Sequence, residues 1–141
     1  MTDQKVEMTE AEWRARLSPA QYEVLRRSAT EPAWSGEHLH VDSYGVFHCA
    51  GCGASLFRTD DKFDSGSGWP SFDRALGEGT VEEHEDRSFG MVRTEITCAT
   101  CGGHLGHLFP DGPTETGMRY CINSLALTFE PGATGGEPAG S

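Results

Sequence analysis

The sequence predicts a single, mainly β domain with two short helices at its N-terminal edge. Three observations predict it. Beyond Pro32, short apolar runs alternate with polar residues between glycine, aspartate and serine. Two capping boxes open the stretches ahead of Pro32. Four of the five cysteines fall into Cys-x-x-Cys pairs, Cys49/Cys52 and Cys98/Cys101, a spacing that ties separate strands to one ion.

The helices come first. Thr9-Glu10-Ala11-Glu12 and Ser18-Pro19-Ala20-Gln21 each pair a hydroxyl N-cap with a Glu or Gln three residues on, and Pro19 stands where a first helical residue tolerates a missing N–H. Trp13 with Leu17 and Tyr22 with Leu25 give each helix one apolar side, and the second helix should stop before Pro32. The helical edge therefore covers about residues 9–30. Gly45-Val46-Phe47-His48 and Ser55-Leu56-Phe57 read as strands. From Met91 to Thr97, Val92, Thr94 and Ile96 alternate with Met91, Arg93 and Glu95; Leu125, Leu127 and Phe129 alternate likewise, so both stretches suit a half-buried antiparallel sheet. The domain spans residues 1–130, and residues 131–141, small and glycine-rich, are expected to form a flexible tail.

Composition narrows the function. With 22 acidic against 11 basic residues, the net charge of -11 argues against nucleic acid as a partner. No stretch approaches the roughly 20 apolar residues that cross a bilayer, and the polar start Met1-Thr2-Asp3-Gln4-Lys5 lacks a signal-peptide core. A cytoplasmic protein without a membrane partner is expected. A disulfide framework could use the same cysteines, but the doubled spacing and the missing export signal favour reduced, metal-bound thiols.

In both pairs a strand ends at the first cysteine and glycine follows the second, which permits a tight turn that aims two thiolates at one ion. Four thiolates close a tetrahedron, so a shared Zn²⁺ would be structural. A redox Cys-x-x-Cys is the competing reading, but neither pair opens a helix that would depress a thiol pKa. Cys121 is left over. Strand alternation sets Arg119, Cys121 and Asn123 on one face, Tyr120 and Ile122 on the other. The thiol could be a small buried hydrophobe. His104 and His107, in a glycine-interrupted segment beside the second knuckle, argue instead for a supported sulfur nucleophile, with one imidazole favouring thiolate and one donating a proton. Trp69, in Asp64-Ser65-Gly66-Ser67-Gly68-Trp69-Pro70, reads either as a loop anchor or as a face for a soft apolar group.

Together these stretches are familiar. Ser65 to Phe72, Cys98 through His104 and His107 to Pro113, and Arg119-Tyr120-Cys121-Ile122-Asn123-Ser124 resemble the signatures of the peptide-methionine (R)-S-oxide reductases, the B-type methionine sulfoxide reductases. The resemblance runs over about residues 18–129, including Ser18-Pro19-Ala20-Gln21-Tyr22 and Ser35-Gly36. It implies two packed antiparallel sheets, tent- or barrel-like, and one structural zinc on Cys49, Cys52, Cys98 and Cys101. It also implies an oxidoreductase that repairs oxidised proteins or peptides under oxidative stress. In that scheme Cys121 attacks the sulfoxide sulfur, His107 helped by His104 supplies a proton to its oxygen, and Asn123 orients the polar end. Trp69 holds the substrate methyl group and Phe109 lines the site.

One position departs from the family pattern. Many members carry a resolving cysteine where this chain has Ser67, so the chain resembles a one-cysteine form. Its Cys121 sulfenic acid would need thioredoxin, glutaredoxin with glutathione, or another thiol as reductant. Phe89 stands where a histidine is frequent. A monomer is expected. The rival class is a non-catalytic binding module on the same scaffold, which would not need Cys121, His104, His107, Trp69 and Asn123 together.

Overall fold

The computed structural model describes residues 8–36, 44–63, 66–77, 79–87 and 90–132. The polar start, Asp64, Ser65, Phe89 and the tail from residue 133 lie outside the described residues.

Both capping boxes form. Thr9 Oγ1 accepts from the Glu12 N–H at 3.2 Å while the Thr9 N–H donates to Glu12 Oε1 at 2.8 Å, opening α1 (Glu10–Arg16). Ser18 and Gln21 repeat the exchange at 3.1 and 2.9 Å to open α2 (Pro19–Arg27). Ser28 then turns left-handed at φ 60°, and the Ala29 N–H reaches back to the Glu23 carbonyl, ending the helix before Pro32. Helices this short depend on tertiary packing. They bury Trp13, Leu17, Tyr22, Val24 and Leu25, with Trp13 against Gly51 of the first cysteine knuckle and Leu25 against Gly103 beside the second. Arg16 donates from Nε to the Gly51 carbonyl, and Arg26 Nη1 donates to the Cys101 carbonyl at 2.9 Å.

Among the described residues nine strands make two antiparallel sheets. The smaller has the order β2-β1-β9, from β1 (Gly45–Cys49), β2 (Ser55–Arg58) and β9 (Leu127–Pro131). The larger has the order β3-β4-β8-β7-β6-β5, from β3 (Lys62–Phe63), β4 (Ser71–Phe72), β5 (Val81–Asp86), β6 (Arg93–Cys98), β7 (His104–Phe109) and β8 (Arg119–Ile122). The core lies between them. Phe47 and Phe57 of the small sheet meet Phe72 of the large one, edge-on at 5.2 Å and stacked at 4.4 Å, and all three rings are fully buried. Each such ring contributes about 1.5–3 kcal/mol by leaving water. Among the described residues no helix is long and apolar enough to cross a membrane.

Two sequence expectations need correction. Leu125 does not continue the alternation of β9, because Ser124–Ala126 winds into a single 3₁₀ turn before the strand starts. Val92 does not face the core; it is 65% exposed, since pairing with β5 begins only at Asp86↔Arg93 and leaves Met91 and Val92 with no strand to lie on. At the other end β9 runs to Pro131, one residue into the expected tail.

Candidate active site

The centre of the site is the pairing of β7 with β8, where His107 stands directly opposite Cys121. The alternation of β8 holds: Arg119, Cys121 and Asn123 line one cavity of about 230 Å³, while Ile122 is buried in the core and Tyr120 packs on Phe57. His107, Phe109 and Trp69 wall the same cavity. The structure thus brings five of the predicted site residues onto one surface. His104 is the exception. It is 4% exposed and sits behind His107, their ring centroids 5.5 Å apart. Residues three apart on a regular strand face opposite ways; here the pairing jumps from Ile96↔Gly106 to Thr97↔His104, and the extra residue, Leu105, is a bulge that brings the two rings together.

Each imidazole leans on a carboxylate. His107 Nε2 lies 2.8 Å from Asp86 Oδ2, so Nε2–H donates there and Nδ1 is the nitrogen left for a ligand. His104 Nδ1 donates to Glu95 Oε2 at 2.7 Å, and its Nε2 is buried with no partner. Burial lowers the His104 pKa from its ordinary value despite Glu95, which keeps the ring neutral.

Burial pushes the Cys121 thiol up, and Ser67 and Arg119 pull against it. Ser67 Oγ lies 3.9 Å from Cys121 Sγ. The groups that favour thiolate are therefore the Ser67 hydroxyl first and then a guanidinium two residues away, where the sequence suggested a histidine. Arg119 is itself held by a two-pronged bond to Asp111 at 2.8 and 3.2 Å and lies over the Phe109 ring.

Trp69 reaches the cavity because the loop before it leads into β4, where Ser71 pairs with Cys121 and the Pro70 carbonyl accepts the Ile122 N–H at 2.9 Å. The ring is only partly buried and lines the cavity. Its indole N–H donates to the Glu31 carbonyl at 2.9 Å. Asn123 is buried, and both ends of its amide are engaged: Nδ2 donates to the Leu105 carbonyl at 3.0 Å, and Oδ1 accepts the Glu31 N–H at 3.0 Å.

The four remaining cysteines converge. Their Sγ atoms all lie within 4.8 Å of one another, with Cys49 to Cys101 at 3.7 Å and Cys52 to Cys98 at 3.6 Å. A tetrahedral zinc with bonds of about 2.3 Å has an edge of about 3.8 Å, whereas a disulfide needs about 2.05 Å, so the spacing of the set fits a zinc ion. Hydrogen bonds among the four thiols pull Cys98 down and push Cys49 up, the mark of sulfurs crowded around one point.

Sequence pattern alone does not reveal Asp86, Glu95 or Glu31, nor Arg93, which also lines the cavity. The first two enter through the pairing of β5, β6 and β7, and Glu31 through a loop remote in sequence. Arg119 was legible as a neighbour of Cys121 by alternation, but its bond to Asp111 was not.

Comparison with known proteins places the chain in a family. The SelR domain family matches residues 17–131. The chain is 58% identical over 130 residues to a peptide methionine sulfoxide reductase MsrB of Bradyrhizobium diazoefficiens, covering 92% of this chain and 94% of that one. It is 52% identical over 130 residues to the MsrB of Chromohalobacter salexigens (92% and 98% covered), and 50% identical over 131 residues to that of Agrobacterium fabrum (93% and 97% covered). With its cysteine and histidine face to face and its four-cysteine cluster apart, the chain belongs to the SelR-domain family of MsrB-type peptide methionine sulfoxide reductases, and it is an oxidoreductase.

Proposed function

We propose that this reductase acts on the R epimer of methionine sulfoxide, mainly in oxidised proteins and peptides, through a sulfenic acid on Cys121. What supports the reading is the opposition of Cys121 and His107 on a cavity that also offers an indole face. The Cys121 sulfur attacks the sulfoxide sulfur, and the S–O bond breaks as oxygen passes to Cys121. The methionine sulfur is reduced by two electrons and leaves as thioether; the cysteine sulfur is oxidised by two and becomes S–OH. The thiol proton ends on that oxygen, so nothing else is consumed. A sulfoxide oxygen grows more basic as its sulfur is attacked. A proton held at His107 Nδ1, with Nε2–H fixed by Asp86, therefore stabilises the transition state more than the ground state. His104 backs His107, Asn123 holds the polar end, Arg119 favours the thiolate, and Trp69 with Phe109 receives the methyl group. Methyl and oxygen then point at different groups around one sulfur, which selects one epimer.

Ser67 cannot resolve the sulfenic acid, and the other four cysteines are committed to one structural zinc. An external thiol therefore displaces water from Cys121–OH to form a mixed disulfide, and a second thiol frees Cys121. Thioredoxin, glutaredoxin with glutathione, or a small thiol fits this step. The reading includes a monomeric, cytoplasmic protein with one reductase domain whose last strand ends at Pro131, working in repair of oxidised proteins.

The test is mass spectrometry after one turnover with racemic N-acetylmethionine sulfoxide and no reductant. Wild type should gain one oxygen on Cys121 and leave the S epimer behind, and Cys121→Ser should do neither. Ser67→Cys should instead close an internal disulfide, because its side chain already touches Cys121. Turnover by Cys121→Ser, or a wild-type disulfide to a knuckle cysteine, would sink the scheme.

A further inference from the structure

Glu31 meets the site from outside the strands. It is 3% exposed, and it uses three different groups on three partners. Its carbonyl accepts the Trp69 indole N–H at 2.9 Å, its backbone N–H donates to Asn123 Oδ1 at 3.0 Å, and its carboxylate Oε1 accepts the Leu125 N–H at 2.9 Å. Glu31 precedes Pro32, so its own peptide is confined to extended conformations. Gly36 closes over the carboxylate: a Cβ there would sit 2.6 Å from Glu31 Oε2 and 2.1 Å from Ser124 Oγ. Thr30, the preceding residue, lines the cavity.

We infer that Glu31 is a positioning residue that sets the angle of the Trp69 ring and so the enzyme's preference for a methyl sulfoxide. The inference rests on Trp69 acting as the methyl cage. The carboxylate pins the chain around Glu31 to the turn that leaves β8. That anchor holds the Glu31 carbonyl where the indole N–H must point, and it holds the Glu31 N–H where Asn123 needs a donor. Burying a carboxylate is costly, and a segment that only needed to cover the sheet would use an apolar residue there. Without the carboxylate the segment loses its tether to Leu125, the indole loses its reference point, and the cage widens. Cys121 and His107 stay opposite each other across β7 and β8, and among the influences on the Cys121 thiol the Glu31 charge comes after burial, Ser67 and Arg119.

The experiment compares wild type, Glu31→Ala, Glu31→Gln, Trp69→Phe and the Ala/Phe double variant on N-acetylmethionine and N-acetylethionine sulfoxides, with Cys121→Ser as control. One methylene in a pocket is worth about 10–200-fold, so Glu31→Ala should raise KM for the methyl substrate roughly tenfold, and its preference for methyl over ethyl should fall by about the same factor. Its kcat should stay within about threefold of wild type, the mark of a lost binding geometry rather than lost chemistry. Glu31→Gln keeps the oxygen that accepts from Leu125 and should resemble wild type. Trp69→Phe removes the indole N–H from the other end, so the double variant should be no worse than the worse single. Zinc content and melting temperature check the fold; if Glu31→Ala does not fold, Glu31→Asp, which draws the carboxylate back by one methylene, takes its place. Wild-type KM and methyl preference in the Ala or Asp variant, equal loss in Glu31→Gln, or additive effects with Trp69→Phe would each overturn the inference. Activity in Cys121→Ser, or full methyl preference in Trp69→Phe, would instead strike the functional reading on which it stands.

Discussion

At Cys121 burial and charge oppose each other, and burial wins. The thiol stands above the ordinary cysteine range even though Ser67 and the Arg119 guanidinium both favour its anion, and the Glu31 carboxylate adds to the upward push. A resting thiol that ionises only when substrate arrives is protected from indiscriminate oxidation. Alkylation by iodoacetamide follows the thiolate, so its rate on Cys121 should rise with pH through an inflection above the ordinary cysteine range. Arg119→Ala removes a group that lowers this pKa and should move the inflection further up. An inflection below the ordinary range, or one that ignores Arg119, would contradict the balance derived from the structure. Rates measured on a Ser67→Ala variant separate the hydroxyl from the guanidinium.

Among the elements, β7 carries most of the design. Its bulge at Leu105 brings His104 behind His107, and Gly106 then lets β7 approach β8 so closely that a Cβ at that position would lie 2.0 Å from the Cys121 carbonyl oxygen. Nothing but glycine fits a backbone-to-backbone approach of that kind. Gly106→Ala should force the two strands apart, costing about 1–3 kcal/mol of stability by overpacking. It should also separate His107 from Cys121 and lower kcat. Urea unfolding and kinetics of the purified variant check both, and a variant with wild-type stability would show that the strands have room the structure denies them. The caps of α1 and α2 are weaker devices, each worth about 1 kcal/mol.

Over the whole molecule the four-cysteine cluster is the joint. Cys49 ends β1 of the small sheet, Cys98 ends β6 of the large sheet, and both helices pack on the turns that follow. A zinc there ties both sheets and the helical edge at one point, so metal affinity becomes folding stability. The purified protein should hold about one zinc per chain by elemental analysis, as a closed four-thiolate site requires. Chelation or Cys98→Ser should lower Tm by more than about 10 °C. An unchanged melting curve in the zinc-free protein would exclude the structural role. The catalytic cavity should fail with the fold, because β6 and β7 run from the cluster to the site.

The sequence by itself determined what depends on near neighbours. Two capping boxes, strands ending at the first cysteine of each pair, a face shared by Arg119, Cys121 and Asn123, and one thiol outside the pairs all follow from spacing along a few residues, and the structure has them. It could not reveal the 3₁₀ turn that removes Leu125 from β9, the exposure of Val92, or the bulge that gathers two histidines, since each depends on which strand lies alongside and in what register. Asp86 and Glu95 joined the site for the same reason, and Glu31 came to it through a loop far away in sequence. A carboxylate is recognisable anywhere in a chain with 22 acidic residues. Which of them stands 2.8 Å from His107 is decided only when long-range pairing closes the sheet, because hydrogen bonds act over ångströms in space and not over positions in sequence.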